Sequence, residues 1–233
     1  MGTRAILFFI GLFLVATLPT VDAGEKRCGV GDHLVPFHNE RDEDGYLGAY
    51  RKCWQEKLLV TPGEVARFIY LPGLVGEETS LSIYRIRSGK KANHYAVTAT
   101  QASKRLWSFF TPGGNLPGRP EDVPITRGDA EIPESTALAV RALWMTALGD
   151  ARKPPSSNVI SLDSSTEIYS AVDEHGQLRT AKGPDVFGPK TKRLFEFTYS
   201  LMEYIDAKPA RQKQQVEKIR KEADELRRAF ERR

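Results

Sequence analysis

From Leu81 to Thr100 the chain reads "LSIYRIRSGKKANHYAVTAT". Leu81 to Arg87 and His94 to Thr100 are short runs rich in β-branched and aromatic residues, joined across Ser88-Gly89-Lys90-Lys91. Two such runs around a glycine-bearing turn read as a β-hairpin, and a hairpin makes its sheet antiparallel. Val65 to Leu71 ("VARFIYL"), bounded by Thr61-Pro62-Gly63 and Pro72-Gly73, supplies a strand before the hairpin. Lys104 to Phe110, through Leu106-Trp107-Ser108-Phe109, offers a further one.

Further along, the texture changes twice. Thr111 to Pro133 carries Pro112, Pro117, Pro120, Pro124 and Pro133 with Gly113, Gly114, Gly118 and Gly128, which reads as a long loop without a regular element. Its Arg127-Gly128-Asp129 spells an integrin-type tripeptide, too short to carry weight by itself. Glu134 to Ala151 then reads as a helix, with Val140, Leu143, Trp144, Ala147 and Ala151 on one face. Leu138, Met145 and Leu148 widen that face, so the helix is expected to be well buried. Ser165 to Ala171 and Gln177 to Lys182 form a second hairpin across Asp173-Glu174-His175-Gly176. Gly188-Pro189 opens another helix, in which Leu194, Phe197, Leu201 and Ile205 keep helical spacing.

At the N-terminus, Arg4 precedes an uncharged apolar run from Ala5 to Leu18, followed by Pro19-Thr20-Val21-Asp22-Ala23. That is the form of a secretory signal peptide over residues 1–23, with an apolar run too short to span a bilayer comfortably. The expectation is an exported chain, periplasmic or secreted, starting near Gly24, with no integral membrane segment after cleavage. The only two cysteines, Cys28 and Cys53, are then most simply a disulfide. It would close a loop of about 26 residues and restrict the unfolded chain by roughly 3 kcal/mol.

The formal charge of +4 is unevenly placed. Residues 208–233 hold ten Lys/Arg against five Asp/Glu, whereas residues 24–207 hold 23 against 24. A nearly neutral body excludes an argument from overall charge to nucleic acid, even though Arg85, Arg87, Lys90, Lys91, Lys104 and Arg105 gather near the first hairpin with Tyr84, Tyr95 and Trp107. The tail has its own pattern. Val216, Ile219, Ala223, Leu226 and Phe230 are spaced 3, 4, 3 and 4, the rhythm of a coiled-coil seam over two heptads. Such a seam needs a cover, which can be the protein's own body, a second copy or a partner helix.

Chemistry is harder to find. Glu40, Asp42, Asp44 and Gly45 resemble the first half of a calcium loop, but its closing position holds Arg51, a cation that cannot ligate. His33 and His38 lie beside Asp32 and Glu40 without a compact zinc-ligand spacing. His94 and His175 are isolated, and G-x-S-x-G, H-E-x-x-H and a glycine-rich phosphate loop are all missing. Nothing calls for a cofactor.

The order of a signal peptide, a β-rich segment, "STALAVRALWMTALGDAR" (135–152), "LDSSTEIYSA" (162–171) and "LFEFTYSLMEYI" (194–205) resembles uncharacterised exported proteins of proteobacteria. Ser164 stands where the Asp-Gly-x-x-Tyr turn of those proteins carries glycine. The resemblance implies an exported location and a mixed α/β fold, and brings no activity with it.

These readings predict an α+β fold: a small antiparallel sheet packed against two main helices, with an extra C-terminal charged helix. Residues 24–207 form one domain bearing an N-terminal disulfide loop, and residues 208–233 a charged amphipathic tail. The leading expectation is a non-enzymatic envelope protein that binds a partner, or self-associates, through Val216, Ile219, Ala223, Leu226 and Phe230. The alternatives are a hydrolase acting on an envelope polymer, with 111–133 as a lid, and a weak divalent-metal module built on Glu40, Asp42 and Asp44.

Overall fold

The computed structural model describes residues 32–37, 45–59, 63–73, 75–88, 91–111, 117–153 and 165–232. In chain order the elements are β1 (Val35–Pro36), α1 (Tyr46–Leu58), β2 (Glu64–Leu71), β3 (Thr79–Ser88), β4 (Lys91–Ala102), β5 (Ile125–Ile132), α2 (Glu134–Gly149), β6 (Thr166–Val172), β7 (Leu178–Lys182), α3 (Pro189–Asp206) and α4 (Pro209–Glu231). The protein has the α+β fold expected from its sequence. Among the described residues the sheet has seven strands in the order β1-β7-β6-β2-β3-β4-β5. Every neighbouring pair is antiparallel.

Strands β2 to β5 form a meander, and the β6–β7 hairpin returns after α2 to pair β6 with β2. Period-two alternation then decides what each face carries. Ala66, Phe68, Leu81, Ile83, Val97, Ala99, Ala130, Tyr169 and Ala171 point to the helix side and form the main core with α2, α3 and α4. Ile69, Ile168 and Ala102 point the other way and meet Tyr50, Trp54 and Leu58 of α1.

Hydrogen bonds at their ends give the helices their directions. α2 starts directly after β5 and ends beside the N-terminal segment, where Arg152 N–H donates to Leu34 O at 2.8 Å. α3 starts beside that same segment, since Lys190 N–H donates to Asp32 Oδ1 at 3.0 Å, and it ends where the Tyr204 hydroxyl donates to Glu131 O of β5. α4 turns back along α3, so Lys190 Nζ reaches Arg232 O at 3.0 Å.

Four sequence expectations change. The Leu106–Phe109 run is a 3₁₀ turn, not a strand, because the buried Glu78 carboxylate accepts the backbone N–H groups of Leu106 at 2.7 Å and Trp107 at 2.8 Å. Residues 125–132 are a strand rather than part of a breaker-rich loop. The prolines bracket that stretch, and the sheet edge tolerates Gly128. Cys53 sits on a helix, α1, instead of a polar loop; Tyr50, Trp54 and Leu58 recur every four residues and bury one stripe. The tail is not an appendage. Ile219, Ala223, Leu226 and Phe230 are buried in the main core and Val216 is half-buried against it, so the protein's own body covers the seam.

The N-terminal segment works as a strap. Asp32 caps α3, where Gly188 has no side chain to do so, and a Cβ at Gly188 would overlap the Asp32 carboxylate. Next in sequence, His33 pairs with Asp150, Leu34 is fully buried, and Val35 adds to the edge of β7. The N-terminal residues 1–23, Cys28, His38, and Glu40, Asp42 and Asp44 lie outside the described residues.

Candidate functional site

Titratable groups that sequence reading singled out are dispersed. His33 Nδ1 lies 2.6 Å from Asp150 Oδ2, and Arg152 Nη2 donates to the other carboxylate oxygen at 2.6 Å. Burial works to raise the Asp150 pKa, but hydrogen bonds from Arg152 and His33 outweigh it and hold the carboxyl below its usual range. His94 Nδ1 stands 4.0 Å from Glu131 Oε2, and the exposed His175 Nε2 is 3.6 Å from Glu174 Oε1. Among the described residues no serine lines the grooves that hold these last two histidines. Among the described residues no three of His, Cys, Asp and Glu are grouped to hold a metal ion.

Cys53 is half-buried beside Lys57, Glu56 and Glu121, and burial pushes its thiol up despite the Lys57 ammonium. It has no disulfide partner among the described residues. The nearby Glu78 carboxylate is fully buried and accepts the Tyr50 hydroxyl at 2.9 Å as well as the two N–H groups already named. Three donors compensate its burial, so it ties α1 and the 3₁₀ turn to the sheet.

A second buried carboxylate, Glu167, lies on the core face of β6 in step with Tyr169 and Ala171. Burial raises its pKa, opposed by the Ser165 hydroxyl, which donates to Oε1 at 2.5 Å. A Cβ at Gly183 would stand 2.8 Å from Glu167 Oε2, so glycine makes room for this carboxyl. Tyr70, Phe195 and Tyr199 stack beside it, and burial pushes the Tyr199 hydroxyl up to about 12. This cluster was missed in the sequence, though strand alternation through "TEIYSAV" places Glu167 on the same face as Tyr169.

The arrangement best suited to hold something else is a groove of about 680 Å³ between α2 and the β6–β7 hairpin. One wall is Leu138, Met145 and Leu148, the residues expected to widen the buried face of α2. Leu138 is 40% exposed, so the hairpin stops short of covering that flank. The other wall is built by turn chemistry. Asp173 Oδ1 accepts the N–H of His175 at 2.9 Å and of Gln177 at 2.8 Å, and Gly176 has φ +78°. Two guanidiniums frame the groove: Arg179 Nε donates to Asp173 Oδ2 at 3.0 Å, and Arg141 Nε to Val172 O at 2.8 Å. Each anchoring bond uses the Nε of its guanidinium. An apolar floor with a rim of both charge signs, Arg141 and Arg179 beside Asp173 and Glu174, suits an apolar side chain flanked by polar or charged groups.

Among the described residues no helix is long and apolar enough to cross a membrane. Comparison with family models, curated proteins and solved structures gave no match. The class is therefore given by the architecture alone: an α+β protein with a seven-stranded antiparallel sheet among its described residues and three helices on one face.

Proposed function

We propose that this chain is an exported, non-enzymatic binding protein of the cell envelope, whose partner is a protein segment with an apolar side chain flanked by polar or charged ones. The groove between α2 and the β6–β7 hairpin carries the reading, because it leaves Leu138 exposed next to Met145, Leu148, Arg141 and Arg179. The signal-peptide pattern of residues 1–23 and the resemblance to exported proteins of proteobacteria support the location. In that oxidising compartment Cys28 and Cys53 form the disulfide. Contact through the C-terminal helix belongs to the same reading only on its outward side, since Ile219, Ala223, Leu226 and Phe230 are taken up by the core.

A photo-crosslinking amino acid at position 142, in the groove lining, tests this in intact cells. The expected result is one crosslinked protein species that Leu138→Asp and Arg179→Glu each remove while the variants keep the wild-type denaturation midpoint. Turnover of a cell-wall polymer by the purified chain, or a crosslink indifferent to both substitutions, overturns it.

A further inference from the structure

Among the described residues strand β5 is an edge of the sheet, and its backbone phase can be read from its neighbours. Ser103 N–H donates to Pro124 O at 2.9 Å. With the register Gln101↔Thr126, Ala99↔Gly128 and Val97↔Ala130, that bond makes Thr126, Gly128 and Ala130 the residues that exchange hydrogen bonds with β4. Ile125, Arg127, Asp129 and Glu131 turn their N–H and C=O groups away from the sheet. The Tyr204 hydroxyl takes Glu131 O. Among the described residues, the outward N–H and C=O of Arg127 and Asp129 have no partner.

The side chains of Arg127 and Asp129 lie on the face opposite the helices, 42% and 47% exposed, with Nη2 and Oδ1 3.1 Å apart. A guarded edge ordinarily discourages an added strand with charged side chains, prolines or bulges. This edge carries both signs, two residues apart, around a glycine.

We infer that a second copy of this chain pairs antiparallel along β5, on a two-fold axis at Gly128. That register sets Arg127 directly across from Asp129 of the second copy, twice, and brings their outward N–H and C=O groups into phase for four hydrogen bonds. Other registers are disfavoured. An axis at Arg127 or at Asp129 sets like charges opposite each other, which destabilises a cross-strand pair. A shift by one residue between the strands faces outward groups with inward ones and makes no ladder. The Arg127-Gly128-Asp129 tripeptide thus acquires a role as a self-complementary strand edge. Because Tyr204 occupies Glu131 O, the ladder is short and the dimer weak.

Sedimentation equilibrium of the purified chain between micromolar and millimolar concentration tests the pairing. A monomer–dimer equilibrium is expected, weakened about tenfold or more by either Arg127→Asp or Asp129→Arg. The combined Arg127→Asp, Asp129→Arg variant restores it, which a general loss of folding cannot do. Amide hydrogen exchange at Arg127 and Asp129 in the unsubstituted chain should slow as concentration rises. A chain that stays monomeric to millimolar concentration overturns the inference. So does a dimer indifferent to both reversals, or a combined variant that fails to recover.

Discussion

His33 Nδ1 lies 2.6 Å from Asp150 Oδ2, joining the N-terminal strap to the C-terminal end of α2 across 117 positions of sequence. A histidine at a helix C-terminus also meets the negative end of the helix dipole when it is protonated.

Asp150→Asn removes the carboxylate that both His33 and Arg152 address. It should cost about 1 kcal/mol at neutral pH, the scale of a part-exposed charge-assisted hydrogen bond. The folded-state pKa of Asp150 is depressed, so its contribution is present above the unfolded value near ~3.9 and is lost as pH falls through the folded value. Urea midpoints from pH 2 to 7 should therefore fall less steeply in the variant. Parallel curves would show that the pair does not contribute.

Asp32→Ala leaves the N-terminus of α3 without its long-range cap and should cost about 1 kcal/mol. Gly188→Ala attacks the same contact from the other side, since the added methyl overlaps the Asp32 carboxylate. Thermal midpoints of the two single variants and the double variant should be strongly non-additive. Independent effects would sever Asp32 from the cap.

Removing 208–233 withdraws Ile219, Ala223, Leu226 and Phe230 from the core they share with α2 and α3. Each of Leu226→Ala and Phe230→Ala should cost about 2–5 kcal/mol. The truncated chain should lose its cooperative unfolding transition. A truncation product that melts like the full chain would restore the tail to the status of an appendage.

Glu167→Gln separates burial from charge. The folded-state pKa of Glu167 is raised, so its favourable contribution is complete below the unfolded value near ~4.3 and is lost as pH rises through the folded value. The glutamine variant should match or exceed the wild-type chain at neutral pH, and that margin should shrink toward about pH 4. A constant difference between the two chains across the range would rule out titration of Glu167 with the fold.

Hairpins and helices were legible wherever a local period decides burial. Leu81–Thr100, Glu134–Gly149 and Pro189–Asp206 announce themselves by alternation or helical spacing. Strand β5 was hidden, because prolines and glycines around it resemble a loop and only the long β4 edge gives Ile125–Ile132 something to pair with. α1 was hidden by its polar outer side. The groove was hidden for another reason: Leu138, Met145 and Leu148 look like core, and only the reach of the β6–β7 hairpin leaves Leu138 exposed and the other two half-buried at the core's margin.

By itself the sequence determined the antiparallel hairpins, the main helices, the α+β class and the existence of an apolar seam in the tail, all properties of local spacing. Only the tertiary structure decided what covers the seam, which carboxylates are buried, and that Asp32, His33, Leu34 and Val35 each fasten a different element. Those outcomes depend on which distant segments meet. A period along the chain specifies that a face must be covered, and says nothing about which surface covers it.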